Sequence, residues 1–437
     1  MAVKVCKFGG TSMADASAIT QSAKIVAADS ERRYIVVSAP GKRFSGDNKV
    51  TDLLYTCYAE STSLGDCGRT FKKVRERFVE ITKDLNLKMD IEKYLDEVEE
   101  GINRSITPDY AASRGEYLMA RVFAAVVGAD FIDTEKTIKF DESGDFAADY
   151  TNDLLSEELK KHERGVLPGF YGSLPNGRIK TFSRGGSDVT GALVARAASA
   201  SVYENWTDIN GFLTADPKIV DNPEKIAYLS YKELRELSYM GANVLHPESI
   251  FPVRLAGIPI NIKNTFEPSN PGTMIVPEKN RPQDDRIVTG IAGRKGFTII
   301  LIEKSMMNSE RGFGRKILSV LEHRGISFEH LPSGIDTLSV VIADEEISGK
   351  LESVISDIRA SVAPDTIEIH SGLSLIATVG HNMASRPGTA ARLFQGLADA
   401  NINIKMIDQG SSELNIIVGV DTADHENAIN AIYHAFY

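Results

Sequence analysis

Residues 2–12 read Ala2-Val3-Lys4-Val5-Cys6, then Lys7-Phe8-Gly9-Gly10-Thr11-Ser12. A short β-branched run is followed by a cation, two glycines and two hydroxyls. The first part predicts a strand. The glycine pair lets the backbone turn sharply and leaves amides bare. Bare amides at the start of a following helix make an anion site, and Lys7 would add a full positive charge. The stretch is not a Walker P-loop, which needs GxxxxGK[ST]. A plain strand-to-helix turn uses the same residues, so both readings stand on these letters alone.

The same alternation continues downstream. Helical spacing is predicted over 16–28, over the charged stretch 69–105 and over 110–127. Apolar strand runs appear at 34–40, 166–172, 179–182, 201–207 and 258–265. Strands alternating with helices predict an α/β fold around an open, largely parallel sheet between helix layers. Both faces of such a sheet are covered, which explains the unbroken apolar runs. Pro, Gly and charge concentrate at 267–273 and 278–286, and the domain boundary is placed near the second.

Beyond that boundary the chain repeats itself. One constant offset places Phe297 on Leu373, Gly312 on Gly388, Ile317 on Leu393, Gly334 on Gly410 and Val340 on Ile416. The unit predicts a βαββαβ, ferredoxin-like order: strand, helix 312–325, strand 326–332, strand 337–343, helix 346–360, strand 365–370. The expected organisation is 1–285, 286–372 and 373–437, the last two free to interlace.

The 437 residues are 42% hydrophobic and 25% charged, with a formal net charge of −11. That balance is ordinary for a globular chain and argues against a nucleic-acid partner, which needs a basic face. No apolar run approaches the ~20 residues of a membrane span. Three cysteines (Cys6, Cys57, Cys67) make no disulfide framework and predict reduced thiols in a cytoplasmic protein.

A second glycine pair lies in Ser183-Arg184-Gly185-Gly186-Ser187-Asp188. Ser187 or Asp188 is expected to cap a helix beginning near Val189. Arg184 beside bare amides suits a carboxylate or phosphate, taken bidentately. A third polar stretch, Trp206-Thr207-Asp208-Ile209-Asn210-Gly211 with Thr214-Ala215-Asp216-Pro217-Lys218, reads as a loop at a strand end. Lys218 there suits a phosphate.

Taken in order, KFGGTS, SRGE at 113–116, GF at 169–170, SRGGSD, WTD…TADP at 206–217 and MGANVLHP at 240–247, followed by two ACT-like units, resemble the aspartokinase family of the amino-acid-kinase superfamily. The resemblance runs the length of the chain. It implies ATP-dependent phosphorylation of the β-carboxylate of L-aspartate, with Mg²⁺ carried on the nucleotide phosphates. It implies that Lys7 and Asp188 are catalytic and that Gly9, Gly10, Ser12, Thr207, Asp208, Leu213 and Lys218 hold the nucleotide. Ser38, Thr51, Glu116, Phe170, Arg184 and Ser187 match the substrate positions, Arg184 for the α-carboxylate and Glu116 for the α-ammonium. Glu116 on its own reads as a solvated helix residue beside Arg114.

The resemblance further implies feedback by an amino acid at the ACT region, with Met307, Glu310, Phe313, Gly314 and Glu329 as effector residues. An acidic Glu329 favours lysine, and threonine is the competitor. A homodimer through the ACT region is expected, with tetramers left open. Two departures stand out. Leu213 replaces a common tyrosine, and Asn243 replaces a common lysine whose charge Lys218 or Lys263 would have to supply. His246 reads as structural. The alternatives are another carboxylate or carbamate kinase of the superfamily, or a non-catalytic amino-acid sensor.

Overall fold

The structure is a computed structural model that describes residues 2–437 apart from 106, 184, 243, 244, 246 and 385, with the backbone alone for 247 and 248. Arg184, Asn243 and His246 therefore lie outside the described residues. Two compact units are present. The first comprises 1–212, 227–231 and 244–282, and the second comprises 213–226, 232–243 and 283–437.

The first unit is built on an eight-stranded sheet. Its strands are β1 (Lys4–Phe8), β2 (Arg32–Val37), β3 (Asp130–Phe131), β4 (Gly165–Pro168), β7 (Val202–Thr207), β8 (Tyr228–Ser230), β9 (Ile260–Asn264) and β10 (Thr273–Val276). A separate antiparallel hairpin contains β5 (Tyr171–Ser173) and β6 (Ile179–Thr181). The spatial order is β3-β4-β2-β1-β7-β9-β10-β8. Every pairing from β3 across to β9 is parallel, and the β9–β10 pair is antiparallel. The first strand thus lies near the middle, with β2 on one side and β7 on the other. That crevice at the carboxyl ends of oppositely wound neighbours is where open α/β sheets bind ligands.

Burial follows the sequence pattern. β1 and β2 run buried over Val5–Phe8 and Tyr34–Val37, as a doubly covered sheet requires. The charged stretch 69–105 forms two helices, Gly68–Asp84 and Ile91–Arg104. They pack through Phe71, Val74, Phe78, Leu95, Val98 and Ile102 into one core with helix Pro108–Val127. Thr107 precedes Pro108 at the first helical position and Gly128 ends the helix at φ 62°, a left-handed stop. The strand predicted over 179–182 is not part of the main sheet. It is β6 of the hairpin, so the second glycine pair follows a hairpin strand.

The second unit carries a five-stranded antiparallel sheet in the order β12-β11-β13-β15-β14. Its strands are β11 (Gly290–Glu303), β12 (Thr337–Ala343), β13 (Thr366–Val379), β14 (Met406–Asp408) and β15 (Asn415–Asp421). Gly312 and Gly388, matched by the repeat, both stand at positive φ (79° and 89°) immediately before helices Phe313–His323 and Thr389–Asp399. The expected strand 326–332 is absent from the ladders. Within that segment the isolated bridge His330 to Val341 is formed, and Ser333 to Leu338 follows just beyond. β11 and β13 are each continuous across both repeats. Phe297–Glu303 pairs with Leu373 and Thr366–His370, while Gly290–Lys295 pairs with Ser374–Val379.

Candidate active site

Strand alternation aims Lys7 and Asn205 at one face of the sheet, since Lys7 pairs with Asn205 between β1 and β7. Helix Gly186–Ala197 covers that face. Its N-cap is Gly185 at φ 57°, without a side-chain cap bond. The expectation that Ser187 or Asp188 caps the helix is therefore corrected. The helix starts earlier, which places Asp188 in its first turn with its carboxylate available to the sheet. Lys7 Nζ lies 2.7 Å from Asp188 Oδ1. Asn205 Nδ2 donates to the same oxygen at 2.8 Å. Lys7 is 8% exposed. A buried ammonium held by a carboxylate that is itself fixed by an amide donor is set in direction, as electrostatic catalysis requires.

The glycine loop follows. Gly9 N–H donates to the Trp206 carbonyl at 2.9 Å, and Thr11 Oγ1 donates to Asp208 Oδ2 at 3.1 Å, so the loop is tied to the end of β7. A side-chain carbon added at Gly9 would point toward Lys7 Nζ, 3.8 Å away. The missing side chain leaves the ammonium approachable. Gly10 and Gly41 touch backbone to backbone, and Gly41 N–H donates to the Gly10 carbonyl at 2.8 Å. A Cβ at Gly41 would fall 2.7 Å from Gly10 C. Gly41→Ala is expected to destabilise the protein by about 1–3 kcal/mol through this backbone clash. Thermal unfolding checks it, and an unchanged Tm would refute the close approach. Ser12 is fully buried and its hydroxyl is engaged with Thr265 Oγ1 at 2.7 Å.

A cavity of about 250 Å³ opens beside Lys7. Ser38, Thr51, Glu116, Phe170, Gly185, Gly186, Ser187 and Asp188 line it. Ser38 follows β2, its N–H bonded to the Phe8 carbonyl. Phe170 is a non-glycine residue at φ 81°. Such a conformation costs on the order of 1–3 kcal/mol and persists where neighbours enforce it. Its N–H donates to Thr190 Oγ1 at 3.0 Å, and its ring packs where a Cβ on Gly186 would lie 2.5 Å from Cδ2.

Glu116 lies on helix Pro108–Val127 and is 5% exposed. Its Oε2 has no hydrogen-bond partner. Burial pushes its carboxyl up to about 8, against the Ala39 backbone and the Arg114 and Lys7 charges, which favour ionisation. A carboxylate oxygen buried without a partner, beside a cavity, is a place prepared for a cation.

The Amino acid kinase family pattern matches residues 2–264 and the ACT domain pattern matches 376–436. Aspartokinase 3 of Bacillus subtilis is 36% identical over 450 aligned residues, covering 100% of this chain and 99% of that protein. The chain belongs to the aspartokinase family. The solved aspartate kinase of Clostridium acetobutylicum is 50% identical over the whole of both chains, with a TM-score of 0.90. Aspartokinase III of Escherichia coli matches in two solved forms. One is in complex with aspartate and ADP (25% identity, TM-score 0.77, 99% of each chain), and the other with lysine and aspartate (26%, 0.74, 100% of this chain and 99% of that one).

The remaining residues that the resemblance assigns to the nucleotide fall in different places in this aspartokinase. Thr207 ends β7 and Asp208 follows it in the first unit, while Leu213 and Lys218 belong to the second, where Lys218 is exposed. Lys263 pairs with Trp206 and its Nζ lies 5.1 Å from the indole centroid. Trp206 in turn stacks on Phe8. Lys263 therefore stands on the sheet face opposite Lys7 and does not supply the charge that Asn243 lacks.

Of the residues expected to meet an effector, Met307 and Phe313 sit in the core of the first repeat. Glu310 is bound by Lys304 at 2.5 Å and Lys316 at 2.6 Å. Glu329 accepts from the Tyr239 hydroxyl and lies 4.0 Å from Arg294 Nη1. Gly314 is exposed at the first turn of helix Phe313–His323.

Two residues escaped the sequence reading. Asn205, which orients Asp188, is a polar residue inside the buried run of β7, and that anomaly was the available signal. Gly41 had none, because its partner Gly10 is distant in sequence.

Proposed function

We propose that this aspartokinase transfers the γ-phosphoryl group of ATP to the β-carboxylate of L-aspartate, forming 4-phospho-L-aspartate and ADP. The carrying observation is the buried, unpartnered Glu116 Oε2 in the cavity beside Lys7. It suits the α-ammonium of an amino-acid substrate. Ser38, Thr51, Phe170 and Ser187 enclose the substrate, and Arg184 takes its α-carboxylate. One β-carboxylate oxygen forms a bond to phosphorus as the bond from phosphorus to the ADP oxygen breaks. The acceptor is ionised at pH 7, so no base is needed. Lys7 stands against the oxygens of the group in flight, and Asp188 with Asn205 keeps it there. Gly9 and Gly10 present the loop backbone to the phosphates, with Thr207 and Asp208 beside them. Ser12 supports the loop through Thr265. Leu213 and Lys218 are assigned to the nucleotide.

Mg²⁺ is expected to be carried by the nucleotide oxygens, where it would neutralise phosphate charge. A panel of acceptors with ATP tests the assignment. Phosphorylation of aspartate is expected, and turnover of glutamate, acetylglutamate or carbamate instead would overturn it.

The enzyme is further proposed to stand at the entry to lysine, threonine and methionine synthesis and to be inhibited by an amino acid at its ACT region, as a homodimer. Aspartokinase III crystallised with lysine supports that effector. A specific observation favours threonine as a second reading. Glu310 and Glu329 are both already partnered, so a lysine side-chain ammonium would have to displace Lys304, Lys316 or Tyr239. Threonine needs no acid for its side chain. Turnover with each amino acid alone and with both decides: inhibition by lysine alone is expected, and inhibition by threonine alone selects the second reading. Sedimentation of the full chain checks the dimer.

A further inference from the structure

Arg121 lies on the same helix as Glu116, nearer its C-terminal end. Its guanidinium carbon is 4.4 Å from the ring centroid of Tyr94, 4.6 Å from that of Tyr117 and 4.2 Å from that of Phe131. Three aromatic faces around one cation are favourable, because each ring presents negative charge density to it. They do not neutralise it. Among the described residues no carboxylate forms an ion pair with Arg121, and its buried Nε has no hydrogen-bond partner. Arg114, on the same helix, is likewise ringed by Tyr110, Tyr117 and Tyr171 and bonds to Ser113 Oγ, but the 320 Å³ cavity opens at Arg121, and two other arginines of this unit are held by carboxylates. Arg32 is held bidentately by Glu204, and Arg77 by Asp47 at 2.5 Å.

A cavity of about 320 Å³ opens directly against this cation. Arg121, Tyr94 and Phe131 form one side, Met89 and Ala125 add apolar wall, and Lys93 brings a second cation to the rim. Asp90 is the acid among the lining residues. Its Oδ1 accepts from Lys93 N–H at 3.3 Å as the helix cap, and its side chain is exposed. Two cations against one acid leave the cavity net positive. Its volume is that of a small ligand.

We infer that this cavity, between helices Ile91–Arg104 and Pro108–Val127, binds a small organic anion, a carboxylate carried on an apolar body. The carboxylate bonds to Arg121, whose planar donor fork suits it. The apolar body lies against Phe131, Tyr94, Met89 and Ala125. The cavity is built from residues other than those of the aspartate cavity, so the inference stands apart from the proposed phosphoryl transfer.

The test is calorimetric titration of the full chain with sodium 3-phenylpropionate, and separately with inorganic phosphate. Saturable millimolar binding of 3-phenylpropionate is expected, at least tenfold tighter than phosphate. Ala125→Leu, at an exposed helix position, fills the cavity without touching a charge and is expected to abolish binding while kcat is unchanged. Lys93→Ala is expected to weaken binding about three- to fivefold, and Arg121→Met to abolish it. No saturation with 3-phenylpropionate, binding unaffected by Ala125→Leu, or phosphate bound as tightly would each overturn the inference.

Discussion

Lys7→Ala is expected to lower kcat by at least two to three orders of magnitude while aspartate binding persists. Removing one preorganised donor from a site where charge develops typically costs that much. The effect should fall on kcat more than on the KM for aspartate. The Lys7 ammonium meets charge that moves onto the transferring group, whereas the aspartate ammonium is met by Glu116. Stopped turnover with retained aspartate binding, measured by calorimetry, is the predicted pair of results. Lys7→Arg should restore little, because the cation is confined between Asp188 and the glycine loop, with 8% of its surface exposed. Unchanged kcat in Lys7→Ala would remove this residue from phosphoryl transfer.

The second large effect concerns Glu116. Its folded pKa of about 8 lies above the ordinary 4.5. The folded protein thus holds this proton more tightly than the unfolded chain. Stability from the protonated form is complete below pH 4.5 and is lost as pH rises through about 8. Glu116→Gln keeps the shape and cannot ionise. The unliganded variant is therefore expected to be more stable than the parent above pH 8, by on the order of 3–5 kcal/mol at most. The two should converge near pH 4.5.

Substrate affinity should move the other way. An ammonium needs the ionised carboxylate, so Glu116→Gln is expected to raise the KM for aspartate by about 30- to 150-fold, as loss of a charge-assisted bond of about 2–3 kcal/mol implies. In the parent, aspartate binding near pH 7 should release close to one proton, and affinity should climb until pH passes about 8. Calorimetry in buffers of different ionisation enthalpy reads this directly. No proton release and an unchanged KM would place the amino group elsewhere.

Much of this site was legible because its chemistry is concentrated at strand ends. Lys7 is the penultimate residue of β1, Gly9-Gly10 follow that strand, and Ser38 follows β2. Both positions could be read from an apolar run meeting polar residues. The sequence could not rank Glu116. On the helix it resembles any surface acid, and only the packing of Ala39 and the surrounding helices makes it buried. The misreadings share one cause, competition between local pattern and tertiary contact. SRGGSD was read as following a main-sheet strand because hairpin and sheet strands have the same short pattern. Ser and Asp favour helix caps, so the letters offer Ser187 or Asp188 for that role beside a catalytic Asp188, whereas Gly185 at positive φ starts the helix and leaves the Asp188 carboxylate to Lys7. Segment 326–332 has strand residues yet contributes only the isolated bridge at His330. Lys263 was offered as a compensating charge, and strand alternation turns it to the other face.

The two long strands of the regulatory unit have a consequence for how that unit can be divided. β13 spends its first half in one repeat and its second half in the other, and β11 does the same in the opposite sense. At roughly 3.3 Å per residue, each is a ribbon on the order of 45 Å long shared by both repeats. Neither repeat can be cut out as a self-sufficient piece, since any excision strips the other of a strand and leaves raw edges. The pair should melt as one body, and the bulges between Lys295 and Ile299, with Gly296 and Gly372 at positive φ, make that junction the place where one repeat can bend against the other.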